Sequence, residues 1–296
     1  MTTSQRRSYS TLKDGGLRHD IPPMRLYHKA KKLGIWDPRS IDLTQDRLHW
    51  QQIPEERRDG VLRLIVGFQA GEEAVTLDLL PLILVMAKEG RLEEEMFLTT
   101  FLWEEAKHTE FFRRFLDEVA EANEDLHQYR ANNGNATGRD IFSDDLAGVM
   151  SALITDQSPA AQLRASVLYN MFIEGVLAEA GYQRFAALLD QTGMLPGLRQ
   201  GLGYIKRDES RHIAYGLFLV SRLLAEHPSL WPQVEEQMNE LISRFQINAE
   251  VPNPEFINAA HFHFQKRMAN LARIRGKTLE EVYQATDAEI EVTDAV

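Results

Sequence analysis

Two copies of one four-residue pattern restrict this chain more than any other feature. Glu105-Ala106-Lys107-His108 and Glu209-Ser210-Arg211-His212 each read Glu-x-x-His, and each lies inside a long stretch with helical apolar periodicity. Residues three apart lie only ~60° apart around a helix, so in each copy the carboxylate and the imidazole aim at one point. Two further stretches each contribute a glutamate from strongly apolar surroundings. Glu72 lies near Val66, Phe68, Val75 and Leu79, and Glu174 near Met171, Phe172, Val176 and Leu177. Burying four carboxylates together would cost on the order of several kcal/mol per ion if they were uncompensated. Two cations of charge two or three remove that repulsion, with carboxylates bridging the ions and one imidazole completing each shell. One Glu from each of two helices and Glu-x-x-His from each of the other two is the dimetal-carboxylate arrangement of four-helix bundles.

Motif counting alone would mislead, because Glu124 and His127 form a third Glu-x-x-His. That copy adjoins Asn123, Asp125 and Gln128 and reads as a solvated helix end. The four retained positions fall into two pairs of similar separation, 72 to 105 and 174 to 209, as two helical hairpins of matched depth would require. Glu104 and Asp208 each precede a ligand pair, so each can receive a ring N–H from the histidine on the opposite helix and fix its tautomer. His261 and His263 are two apart, fall on different helix faces and read as structural.

The periodicity predicts an all-α fold: a ferritin-like four-helix bundle with a dimetal-carboxylate centre, plus additional helices. A first long helix runs from Pro54 to Lys88, kinked at Pro81 and capped by Gly90. A second runs from Leu92 to Ala122 and gives way to the loop Ala131 to Gly138. A third opens with Ser158 as N-cap and Pro159 in its first turn and stops near Gly193. A fourth runs from Leu198 to Glu226, before Pro228. Residues 1–22 read as a flexible arm, 23–286 as a single helical domain, and 287–296 as an acidic tail with too few apolar residues to dock.

Composition narrows the function. The chain has no cysteine, so thiolate zinc sites, iron–sulfur clusters and disulfides are excluded and any metal is held by oxygen and imidazole. A net charge of -11 without a long basic run argues against nucleic-acid binding. No run reaches membrane-span length and no signal-type apolar stretch opens the chain, so the expected location is cytoplasmic.

With these residues in hand, the sequence resembles the ribonucleotide reductase small-subunit superfamily. Within it, the likeness is to the ligand-binding oxidases that are similar to that subunit but do not serve the reductase. The resemblance covers about residues 24 to 286. It rests on Gly71-Glu72-Glu73-Ala74-Val75-Thr76-Leu77-Asp78, Glu105-Ala106-Lys107-His108, Tyr169-Asn170-Met171-Phe172-Ile173-Glu174-Gly175 and Asp208-Glu209-Ser210-Arg211-His212. It implies an oxidoreductase that uses dioxygen for C–H oxidation, a homodimer, and a long-chain fatty acid or related lipid as bound ligand. It also implies manganese at Glu72, Glu105 and His108 and iron at Glu174, Glu209 and His212, with Glu105 bridging and a di-iron pair as the variant. Val75 and Tyr169 would be the partners of an ether cross-link made by oxygen activation. Val75, three after Glu72, can face the metals; Tyr169, five before Glu174, stands ~140° away on a regular helix, so spacing alone does not select it.

Two rivals stay open at this level. A radical-generating reductase small subunit usually has a tyrosine one turn after the first ligand histidine, whereas here Thr109-Glu110-Phe111-Phe112 follows His108. An iron-storage cage would need a ~24-subunit shell of much shorter chains.

Overall fold

The computed structural model describes residues 9–122, 126–129, 140–248 and 254–290. Among these residues it is all-α, with no strand, and no helix is long and apolar enough to cross a membrane. The Ala131 to Gly138 loop and Glu124 lie outside the described residues. His127 is described and exposed, in a short 3-10 turn.

Four long helical runs build the bundle. The first is α3 (Glu55–Asp78), which breaks at Leu79 and resumes as α4 (Leu80–Glu89). Pro81 sets this break, since it lacks an N–H and its ring crowds the preceding turn. The second run, α5 (Leu92–Glu118), ends one turn earlier than its sequence predicts: Ala120 and Ala122 close the terminus through hydrogen bonds to Phe115 and Leu116 carbonyls. The third begins as α7 (Pro159–Ser166), with the Ser158 hydroxyl accepting from the Ala161 amide at 3.3 Å. It continues as a π-helical segment over Val167–Ala178 and ends as α8 (Glu179–Thr192). The fourth run, α9 (Pro196–Glu226), receives its N-terminal cap from another element. The buried Asp46 carboxylate, on α2 (Thr44–Gln52), accepts from the Gly197 and Leu198 amides at 2.8 Å each, where a helix end favours negative charge. Left-handed Gly90 (φ 71°) and Gly193 (φ 63°) close α4 and α8.

α3 packs on α5, α5 on α9, and α9 on both the π segment and α8. α1 (Pro22–Leu33) lies across α5 and α9, and α11 (Pro254–Ile274) backs the π segment. On that rear face the Arg267 Nε donates to the Gly175 carbonyl at 3.0 Å, and Arg267 also pairs with Glu179. Burial opposes ionisation of Glu179, but His263, Arg267 and Lys266 outweigh it and hold the group down to about 2.

Two apolar clusters make the core, one containing Val75, Phe97, Phe101 and Tyr169, the other Trp36, Phe111, Phe112 and Tyr182. Near the two described ends of the chain, contacts are more extensive than composition suggests. Ile21 is buried and the Arg18 guanidinium lies 4.5 Å from the Tyr283 ring centroid. In the acidic tail Asp287 pairs with Arg25 (3.0 Å) and Lys29 (3.2 Å), and Ile290 is buried; charge pairing with α1 supplies the anchorage that apolar content does not.

α9 packs directly onto α5 at Gly201, where an added Cβ would fall 2.0 Å from the Phe111 ring. Because Phe111 is itself fully buried, Gly201→Ala is expected to destabilise the fold by about 1–3 kcal/mol. A urea midpoint unchanged at constant slope would contradict this contact.

Candidate metal centre

The bundle geometry gathers the six residues of the four helices into one buried cluster. Glu72, Glu105, His108 and Glu209 offer ligand atoms within 4.8 Å of one another, and so do Glu105, Glu174, Glu209 and His212. Glu105 is common to both groups. Glu209 is too, a sharing that no sequence spacing reveals. His108 Nδ1 lies 3.3 Å from Glu72, 3.7 Å from Glu105 and 3.4 Å from Glu209. His212 Nδ1 lies 2.9 Å from Glu105 and 3.6 Å from Glu209.

The opposite ring nitrogens face outward to two further acids. His108 Nε2, on α5, is 3.3 Å from Asp208 on α9, and His212 Nε2, on α9, is 2.9 Å from Glu104 on α5. Each Nε2–H donating to its acid leaves the Nδ1 lone pair aimed into the carboxylate cluster. Further groups hold this frame. Arg211, fully buried, spans Glu104 (2.5 Å) and Asp208. Lys107 pairs with Asp208 at 3.3 Å and donates to the Gly34 carbonyl, and Trp36 Nε1 donates to Asp208 at 2.7 Å. Tyr182 donates its hydroxyl to Glu72, and Asn170 donates to Glu174 at 3.0 Å. Phe101 stacks on His212 with ring centroids 3.6 Å apart.

The π segment explains what regular spacing hides about Tyr169. With hydrogen bonds closing at i→i+5, residues five apart come onto one face, so Tyr169 shares the side of Glu174. Tyr169 is fully buried and its hydroxyl has no hydrogen-bond partner. Burial, then the negative charge of Glu174, Glu105, Glu209 and Glu72, pushes the phenol well above its ordinary range.

Protein groups alone leave the cluster unbalanced. Both oxygens of Glu105, one of Glu174 and Nδ1 of His212 are buried without a well-aligned hydrogen bond. An unmet buried polar atom costs about 1–3 kcal/mol. Burial raises Glu72 to about 8, against the pull of His108, and burial with the Glu209 charge raises Glu174 well above the carboxylate range. Burial also raises Glu105, yet His108 and His212 overcome it and hold that group well below the usual range. Desolvation lowers both histidines, but their carboxylate neighbours win and both are raised well above the ordinary imidazole value. Six buried carboxylates (Glu72, Glu104, Glu105, Glu174, Asp208, Glu209) face two buried cations, Lys107 and Arg211. The deficit of four positive charges is what two divalent ions supply, and the unpaired acceptors are where they would bind. The residues therefore fit a dinuclear metal centre.

Fold and site together define a ferritin-like protein whose four helices present a dimetal-carboxylate centre. The ribonucleotide reductase small chain family matches residues 23–251. An R2-like ligand-binding oxidase from Sulfolobus acidocaldarius superposes with a TM-score of 0.85 at 35% identity, over 93% of this chain and 98% of that one. A glycine-to-phenylalanine variant of an R2-like ligand-binding oxidase with anaerobically reconstituted Mn/Fe cofactor superposes with a TM-score of 0.81 at 35% identity, over 88% and 97%. A tyrosine-to-phenylalanine variant with aerobically reconstituted Mn/Fe cofactor gives 0.81 at 34%, over 90% and 98%. The chain belongs to the ribonucleotide reductase small-chain family, on the branch of the R2-like ligand-binding oxidases. Those relatives are oxidases with a dimetal cofactor, which supports an oxidoreductase of the dimetal-carboxylate kind.

Proposed function

We propose that this protein is a dioxygen-using oxidase with a manganese/iron centre. Glu72, Glu105 and His108 hold manganese, Glu174, Glu209 and His212 hold iron, and Glu105 bridges. Relatives reconstituted with Mn/Fe support the metal pair, and an oxygen and imidazole donor set suits both ions. A bound pair of this kind supplies the oxidising power to break an unactivated C–H bond. The chain decides which bond is within reach. Val75, buried on α3, follows Glu72 by three residues, and Tyr169 shares the face of Glu174. Phe101, stacked on His212 and 5.9 Å from the Tyr169 ring, keeps water from this side.

The observation that carries the reading is the Tyr169 hydroxyl, buried without a partner beside the carboxylate cluster. Such a phenol is costly to keep as a bystander and suits a group that forms a bond. In this reading Val75 and Tyr169 join as an ether with loss of two hydrogens. The external ligand is a long-chain fatty acid or related lipid, held with its carboxylate toward the metals. The working unit is a cytoplasmic homodimer.

Peptide mass spectrometry on protein loaded with manganese and iron tests this directly. A joined Val75–Tyr169 peptide pair, lighter by two hydrogens and present only after exposure to air, is the expected result. Unmodified peptides at full metal occupancy would remove the ligand-binding-oxidase reading.

One observation favours a second reading, a radical-generating reductase subunit. Trp36 Nε1, Asp208 and His108 Nε2 form a continuous hydrogen-bonded chain from an indole to a metal-facing histidine, with the two rings stacked at 6.2 Å. Against it, Phe111 and Phe112 occupy the turn after His108 and store no radical. Co-purification with a large catalytic subunit would bring this reading forward.

A further inference from the structure

A second buried polar cluster lies beyond the metal site, where the C-terminal half of α9 meets the start of α5. Tyr215 is fully buried and donates its hydroxyl to Glu94 Oε2 at 3.1 Å. Glu94 is buried too, paired with Arg222 at 3.1 Å and Arg91 at 3.7 Å. Arg91 continues outward and donates to the Tyr283 hydroxyl at 3.3 Å. A first-turn glutamate on α5 could serve the helix terminus from the surface. Here it is instead drawn into the interior and held against a phenol.

Tyr215 is also coupled to the metal site. It stands one turn after His212 on α9, where residues three apart are neighbours. A ring path joins them as well: Phe101 stacks on His212 at 3.6 Å, Phe97 lies 6.0 Å from Phe101, and Tyr215 lies 5.0 Å from Phe97. Outward, Phe218 is 6.2 Å from Tyr215 and 5.8 Å from Tyr283, whose half-buried ring is overlain by Arg18. Two phenols with polar partners therefore divide the distance from the metal site to the surface into short steps, and electron tunnelling falls steeply with distance.

We propose that Tyr215, with Glu94 as its proton acceptor, is a redox-active tyrosine that passes single oxidising equivalents between the metal centre and the surface at Tyr283. The inference rests on the dimetal-oxidase reading for its oxidant. Oxidation of Tyr215 takes one electron, which reduces the metal pair by one equivalent, and one proton, which moves from the phenol oxygen to Glu94 Oε2. The phenol O–H bond breaks, a carboxyl O–H bond forms, and a neutral phenoxyl radical is left. A one-electron reductant at the surface returns the electron through Tyr283 as the proton goes back from Glu94. The route gives the centre an electron entry separate from the Trp36 chain, and drains oxidising equivalents that no substrate has consumed.

The test places trifluorotyrosine at position 215, an almost isosteric change that leaves the fold in place. In the full-length metal-free protein, flash oxidation with ruthenium tris-bipyridine and persulfate is expected to give an electron paramagnetic resonance signal split by fluorine, lost in Glu94→Gln. In protein loaded with manganese and iron and exposed to air, the same split signal is expected on rapid freezing. Tyr215→Phe and Tyr283→Phe should each slow reduction of the oxidised centre by dithionite about tenfold, while Tyr27→Phe leaves it unchanged. No fluorine-split signal in either sample overturns the proposal. So does a split signal in metal-free protein alone while the Val75–Tyr169 join still forms in air. Loss of that join with the split signal intact in metal-free protein counts against the oxidase reading and supports the redox role of Tyr215.

Discussion

Removing divalent metal with a chelator under anaerobic conditions is expected to lower the melting temperature by on the order of 15–30 °C. The estimate follows from linkage: a ligand at about a thousand times its dissociation constant stabilises by about 4 kcal/mol per site, and in a chain of this size each kcal/mol moves the midpoint by about 2–4 °C. The cause is the uncompensated charge among Glu72, Glu105, Glu174 and Glu209, with both oxygens of Glu105 and one of Glu174 buried without a hydrogen-bond partner. In the metal-free protein burial raises Glu72 to about 8, and the carboxylates around both histidines overcome desolvation and raise them well above their ordinary value, so protons take the place of the ions. The sign of the pH effect follows. A folded-state pKa raised above the unfolded one means that the folded protein holds more protons between the two values. Metal-free stability therefore falls as pH rises from about 4.5 toward 8. Metal binding displaces those protons, so the gap between loaded and stripped protein widens over the same interval. Scanning calorimetry at pH 6 and pH 8 with and without metal measures both effects. Superimposable melts would mean that the cluster is stable through its own hydrogen bonds and holds no ion.

The parts of this architecture that the sequence reveals are those set by local chemistry. Pro81, Gly90, Ser158 and Gly193 act through their own backbone or cap, and the helix breaks and ends fall at these residues. The Glu-x-x-His pairs are legible because three-residue spacing fixes a shared face on any α-helix. Tyr169 escapes that logic because the segment from Val167 to Ala178 is not an α-helix, and nothing in its residues announces the wider turn. Trp36 and Tyr182 reach Asp208 and Glu72 across 172 and 110 residues, and no local pattern encodes such pairings. Lys107 and Arg211 did carry a signal. They occupy the variable positions of the two motifs, next to the acids those motifs bury, and a buried cation beside buried acids is a pairing to look for. The tail from Asp287 to Ile290 is docked by ion pairs with Arg25 and Lys29, a contact that apolar content could not forecast.

Arg211→Leu is expected to destabilise the protein by about 3–5 kcal/mol, the range for breaking a buried ion pair by removing one partner. Arg211 has no exposed surface and joins Glu104 to Asp208 across the two helices that carry the Glu-x-x-His pairs. Without it both carboxylates stay buried, with Lys107 the remaining full cation beside Asp208. The loss should also weaken metal binding by about 10–100-fold, because these two acids orient His212 and His108 through Nε2. A comparison with Glu105→Ala separates structural from metal-linked effects. Glu105 is shared by both ligand groups, so its removal should abolish tight metal binding and with it the stability gained on adding metal. Arg211→Leu, in contrast, should destabilise stripped and loaded protein alike. Urea unfolding of both variants, with and without metal, gives the four numbers. If the Arg211→Leu cost vanished in the stripped protein, the guanidinium would be acting only through the metal, and its place as the charge that holds α5 against α9 would have to be given up.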